Sequence, residues 1–172
     1  MYDIFKFYNF LLAHIPTAWS LRVARYMPLY PSLLLIDDSS GERELFREAL
    51  ARTGLAVALF AEQDAEAALR FLTHRASLGL PPSVILLDWH LRCWSGDEFL
   101  RHLRAHPGVT TIPVVVFSTS DAAADVSAAY TNGANGYVVK PDTFDELVRC
   151  IRTICQFWVD CNVSPHLIES RC

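Results

Sequence analysis

"SVILLDWHL", residues 83–91, is the stretch that decides the fold. Val84 through Leu87 run without any polar alternation, which is how a strand reads when both faces of its sheet are covered. The run ends abruptly in Asp88, with Trp89 and His90 behind it. A carboxylate at the tip of a strand buried on both faces implies a crevice at that end of the sheet.

The same unit recurs on either side. "LLLID" (33–37) is a short apolar run, and "SGERELFREALARTG" follows with Leu45, Phe46, Ala49 and Leu50 on one helical face. Ser39 or Ser40 can cap that helix, Glu42 and Glu44 suit its first turn, and Gly54 ends it. "LAVALF" (55–60) reads as the second strand. "DAEAALRFLTHRASLG" is the second helix, closed by Gly79 and the Pro81-Pro82 pair. Beyond Asp88, "GDEFLRHLRAH" is a short third helix that stops before Pro107-Gly108. "IPVVVFS" (112–118) is the fourth strand, and "DAAADVSAAYTNG" the fourth helix, with Asp121 as N-cap and Gly133 at its end. "GYVVK" (136–140) is the fifth strand. "DTFDELVRCIRTICQFW" is the last helix, capped by Asp142 or Thr143.

Five apolar strands alternating with five helices predict an α/β fold, a doubly wound five-stranded parallel sheet with right-handed crossovers. In the flavodoxin-like order 2-1-3-4-5, ligands bind where strands 1 and 3 diverge, at their carboxyl ends. The chain then divides into an N-terminal extension (1–31), the domain itself (32–158) and a tail (159–172).

Composition bounds the rest. A hydrophobic fraction of 52% over 172 residues requires a packed core. A net charge of −4 lacks the basic footprint of nucleic-acid binding. The five cysteines form no CxxC pair, so neither a zinc site nor a disulfide framework is expected, and a reducing, cytoplasmic compartment is the simpler reading. "MYDIFKFYNFLLAHIPTAW" is apolar but broken by Lys6, Asn9, His14 and Pro16, so membrane insertion is not expected. It also lacks the marks of a signal peptide. Ile4, Tyr8, Leu11, Leu12 and Ile15 fall at helical spacing, as an amphipathic arm would; alternatively Met27 is the natural start.

The strand ends carry the chemistry. Strand 1 ends in Asp37-Asp38, strand 3 in Asp88, strand 4 in Ser118-Thr119, and strand 5 in Lys140-Pro141. The expected strand order brings all four to one rim. Three clustered carboxylates repel one another unless a cation sits among them, and all-oxygen ligation suits a hard ion such as Mg²⁺. A carboxylate beside Mg²⁺, with an ammonium and a hydroxyl at hand, is equipped to attack phosphorus. Taken singly, Asp37-Asp38 would read as a helix-cap pair and Lys140 as a surface lysine. Their convergence on one rim favours a site.

Four pieces in order, "LLLIDDS", "ILLDWHL", "IPVVVFSTS" and "GANGYVVKPDTFDEL", make Ser32 to about Trp158 resemble the receiver domain of two-component response regulators. The resemblance implies that Asp88 is the phosphoacceptor. It implies Mg²⁺ held by Asp38, by Asp37 partly through water, by Asp88 and by the backbone carbonyl of His90. Ser118 and Thr119 would be the hydroxyl positions that meet the phosphoryl group, Lys140 would hold one of its oxygens, and the peptide before Pro141 would be cis. Tyr137 would be the aromatic that turns inward when Ser118 moves. The partner implied is a sensor histidine kinase. The ending "CIRTICQFWVDCNVSPH" is similar to small regulators that serve phytochrome-type kinases, in which a Phe-Trp pair (here Phe157 and Trp158) leads into a homodimer contact.

The chain also departs from the family pattern. Arg92 stands where receivers often carry proline, Cys93-Trp94 is unusual there, and His90 and Thr119 are large for their positions. Two other readings compete with the phosphorylation switch. A phosphorylation-independent docking module would leave the acids without a task. An aspartyl-nucleophile phosphatase would need a second acid where His90 stands, so a turnover enzyme is not expected.

Overall fold

The structure, a computed structural model, describes residues 31–163. The amphipathic arm or late start expected before Ser32, and most of the tail, lie outside those residues. The elements alternate as β1 (Ser32–Ile36), α1 (Ser40–Thr53), β2 (Ala58–Glu62), α2 (Ala65–Ser77) and β3 (Val84–Leu87). They continue as α3 (Gly96–Ala105), β4 (Val114–Ser118), α4 (Ala123–Thr131), β5 (Gly136–Val139) and α5 (Phe144–Cys155), and a π-helical turn, Gln156–Cys161, closes the series. All neighbouring strands are parallel, in the order β2-β1-β3-β4-β5. This is the flavodoxin-like doubly wound sheet that the sequence predicts.

The two strand faces build two cores. Leu34, Ile36, Ile85, Leu87, Val114 and Val116 pack against α2, α3 and α4. Leu33, Leu35, Val84, Leu86, Val115 and Phe117 pack against α1 and α5. Leu33, Leu34, Ile36 and all four residues of β3 are fully buried, with Leu35 at 1% exposure. Each such side chain contributes about 1.5–3 kcal/mol by leaving water, so the central strands cannot slip. Register follows: Ile36 pairs with Leu87 and Leu87 with Val116. One step further along, Asp37 falls beside Asp88.

Local chemistry sets the helix ends. Ser39 accepts the Glu42 N–H at 3.3 Å to start α1, and Gly54 ends it at φ 73°, a left-handed turn that a side chain would strain. Asp64 caps α2 through the Ala67 N–H, and Thr143 caps α5 through the Glu146 N–H.

Several boundaries differ from the sequence reading. Leu55 to Val57 connect α1 to β2 and are not strand, because pairing with β1 begins only where Ala58 meets Ser32. The N-cap of α4 is Ala122, not Asp121, since the first helical bond runs from the Val126 N–H to the Ala122 carbonyl at 3.1 Å. The last helix is α-helical only to Cys155 and then widens, with the Asn162 N–H donating to the Phe157 carbonyl at 2.7 Å. Four cysteines among the described residues are free thiols, and no described helix is long and apolar enough to cross a membrane.

Candidate functional site

The loops that follow β1, β3, β4 and β5 converge on one rim. Asp37 is 1% exposed and tightly fixed: its Oδ1 accepts the Ser39 N–H at 2.8 Å, and its own N–H donates to the Glu62 carbonyl at 3.1 Å. Arg43, one turn into α1, donates to the Asp37 carbonyl at 2.5 Å. The Asp88 N–H donates to the Ile36 carbonyl at 2.8 Å, which carries the sheet pairing to the edge of the site. Asp37, Asp38 and Asp88 each offer one oxygen, and the three lie within 4.8 Å of one another.

Lys140 closes the group from β5. Its Nζ donates to Asp37 Oδ2 at 2.7 Å and stands 3.8 Å from Asp88 Oδ2 and 3.7 Å from Glu42 Oε2. Its side chain is 8% exposed, and Nζ lies 5.8 Å from the Phe117 ring centre. Burial alone would lower the lysine pKa, but the Asp37 hydrogen bond and the charges of Asp88, Asp37 and Glu42 outweigh it and hold the ammonium above its ordinary range. Asp88 goes the other way. Burial raises its carboxyl pKa and the neighbouring acids add to that, against the opposing pull of Lys140 and the His90 N–H.

Tyr137 and the hydroxyls lie on the β4 side. Ser118 is fully buried, and its Oγ accepts the Ser120 N–H at 3.3 Å. Thr119 is exposed and lines a cleft with Asp37, Glu42, Phe117, Lys140 and Pro141. Tyr137 packs against the core on the α2–α4 face, and its hydroxyl donates to the Ser120 carbonyl at 2.9 Å. Ser120 Oγ in turn donates to Asp125 Oδ2 at 2.6 Å.

The Lys140–Pro141 peptide is trans, as are all peptides among the described residues, so the expected cis geometry is not found. The trans form is the lower-energy state of an X–Pro bond by about 0.5–1 kcal/mol. It already lets the Lys140 N–H pair with the Ser118 carbonyl at 2.7 Å while Nζ reaches Asp37.

His90 is exposed; its N–H makes a long 3.5 Å contact to Asp88 Oδ1, and its Nε2 lies 3.5 Å from Asp125 Oδ2. His102 is exposed and lies against Trp94, with ring centres 4.5 Å apart. Trp89 is buried beneath the β3–α3 loop and lies against Gly96. Phe157 is 54% exposed, whereas Trp158 leans on the α1–α5 core, the two rings meeting edge-on at 4.9 Å.

Sequence reasoning missed several participants. Arg92, noted only as a departure, binds Asp38 Oδ2 through Nε at 2.8 Å. Glu42 and Arg43 look like ordinary first-turn residues of α1, yet both face the site. Their signal was position: the helix begins directly after the Asp-Asp pair.

The donor set is all oxygen, with three carboxylates and a single ammonium among them, and it fits a hard divalent ion. The carboxylate at the end of β3 is the one whose basicity burial has raised, and it faces both the cluster and Lys140.

Comparison with known proteins agrees with this geometry. Residues 33–152 match the family described as response regulator receiver domain. The probable methanogenesis regulatory protein FilR2 of Methanothrix harundinacea is 33% identical over 77% of this chain and 86% of its own length. Response regulator Rcp1 of Synechocystis is 31% identical over 77% of this chain and 92% of its own. A structure of Rcp1 in its Mn²⁺-bound form superposes with a TM-score of 0.67, covering 78% of this chain and 99% of that one at 31% identity. The phosphorylated cyanobacterial phytochrome response regulator RcpA superposes at 0.70, with 28% identity over 79% of this chain and 99% of that one.

Proposed function

Since the chain belongs to the response regulator receiver domain family, we propose that it works as a phosphorylation switch in which Asp88 takes a phosphoryl group from a histidine kinase. The observation that carries this reading is the meeting of Asp37, Asp38 and Asp88 oxygens within 4.8 Å, with the Lys140 ammonium wedged against two of them.

In the step itself an Asp88 carboxylate oxygen forms a bond to phosphorus while the bond from phosphorus to the kinase histidine nitrogen breaks. The departing nitrogen keeps the electron pair. Lys140 lies where it offsets charge on the transferred oxygens, and the fixed Asp37 keeps that ammonium in position. Asp37, Asp38, Asp88 and the His90 carbonyl would hold Mg²⁺, which when bound would supply further positive charge to those oxygens. Ser118 and Thr119 end the strand beside Lys140 and supply the hydroxyls that answer the new phosphoryl group. Tyr137 then transmits the change, because its hydroxyl is tied to the same β4–α4 loop through the Ser120 carbonyl. The product is an aspartyl phosphate and not a released one, so the protein is a switch and not a turnover enzyme.

The kinase is of the phytochrome type, a reading supported by the likeness to RcpA. The assembly is a homodimer that uses the exposed Phe157 beside Trp158.

The test is binding of beryllofluoride, a phosphoryl mimic, in the presence of Mg²⁺, followed by tryptophan fluorescence of Trp89 and Trp94. The wild type should respond and Asp88→Asn should not. Equal responses from the two proteins would overturn the assignment.

A further inference from the structure

The β3–α3 loop carries a cation that the proposed chemistry does not use. Arg92 lies four residues beyond Asp88, and its Nε sits 2.8 Å from Asp38 Oδ2. Lys140 serves Asp37 and Asp88 at 2.7 and 3.8 Å. Asp38 instead finds its ion-pair partner, among the described residues, in Arg92.

The two partners are unequally held. The Asp38 side chain is 20% exposed and belongs to the rim, whereas that of Arg92 is 81% exposed and reaches in from solvent. The loop beneath Arg92 is firmly anchored. Trp89 and Leu91 are buried, the Gly96 N–H donates to the Trp89 carbonyl at 3.0 Å, and Ser95 and Glu98 close a capping box at the start of α3. The guanidinium therefore stays within reach of the site yet can leave it without disturbing any packing.

We propose that Arg92 is a resident counter-ion for the cation pocket, which a divalent ion must displace from Asp38 to bind. This rests on the reading of the three aspartates as that pocket. Guanidinium and metal neutralise the same carboxylate, so each weakens the other's hold. Arg92 thereby raises the ion concentration at which the site fills. Once displaced, it stands free at the mouth of the crevice, where it adds positive charge facing an approaching phosphoryl donor. An exposed pair of this kind is weak, so the expected effect is modest, about twofold to fivefold in affinity.

The experiment is titration of the full chain with MgCl₂, followed by calorimetry and tryptophan fluorescence at low salt. Arg92→Gln should bind Mg²⁺ about twofold to fivefold more tightly than the wild type, and the gap should narrow in high KCl as screening grows. Arg152→Gln is the control for net charge, because Arg152 contacts the Thr53 carbonyl at the last residue of α1, about 20 Å along the helix from the site. It should bind as the wild type does. Affinity unchanged or weakened in Arg92→Gln, or raised equally in Arg152→Gln, would overturn the proposal while leaving the pocket standing. If folded wild type and Arg92→Gln both fail to bind Mg²⁺, the pocket assignment itself falls and Arg92 with it.

Discussion

Replacing Asp88 by asparagine should stabilise the ion-free protein at neutral pH, even though it removes the acceptor. Asp88 stands 3.8 Å from one ammonium but within 4.8 Å of two other carboxylates. With an effective dielectric constant from about 80 down to about 20, losing both repulsions outweighs losing the attraction by about 0.6 to about 2.6 kcal/mol. Burial of the carboxylate acts in the same direction, and both raise its pKa above the ordinary 3.8. The sign follows from that rise. A carboxyl whose folded pKa is raised imposes no cost below its unfolded value, and its full cost above the folded one. Urea unfolding at pH 7 in chelator should therefore show Asp88→Asn more stable by about 1–3 kcal/mol, or roughly 2–4 °C in Tm for each kcal/mol. The difference should fade as pH falls toward 3.8. Mg²⁺ at about 100 times its dissociation constant should then add about 2.7 kcal/mol to the wild type and less to the variant. A variant that is less stable at pH 7, or a difference that grows toward low pH, would refute the electrostatic account.

Lys140→Met should act in the opposite sense. It strands the Asp37 carboxylate, only 1% exposed, without its ammonium, and should cost about 3–5 kcal/mol at pH 7 by urea unfolding. Gly96→Ala tests the loop floor. A β-carbon there would run into the Trp89 ring, so a substitution that normally favours a helix should instead cost about 1–3 kcal/mol and shift the tryptophan emission.

The central strands were legible because each is a short run buried on both faces, and four residues of such a run can be read without knowing their neighbours. The rim was legible for the same reason: strand ends have no freedom once strand order is known. Strand β2 was not, because "LAVALF" is apolar throughout and only pairing with β1 chooses Ala58 as its first residue. The start of α4 was lost in a polar loop, where Ser118 accepts the Ser120 N–H and Ser120 the Ala122 N–H, and no side chain caps the helix. Arg92 could be noticed as unusual, but its bond to Asp38 depends on the path of a loop, and no periodicity encodes that path. Nor does sequence show that Lys140 is shared among three acids; that needs β1, β3 and β5 in one frame.

The widening after Cys155 bears on anyone who would splice another helix onto this chain. Each residue of an α-helix turns its successor by about 100°. A segment closed by i→i+5 bonds holds more residues per turn, so the spiral past Gln156 falls out of step with α5. A rigid fusion drafted by continuing the heptads of α5 through Asn162 would emerge rotated from its intended azimuth, and a linker trimmed or padded by one residue would restore the phase.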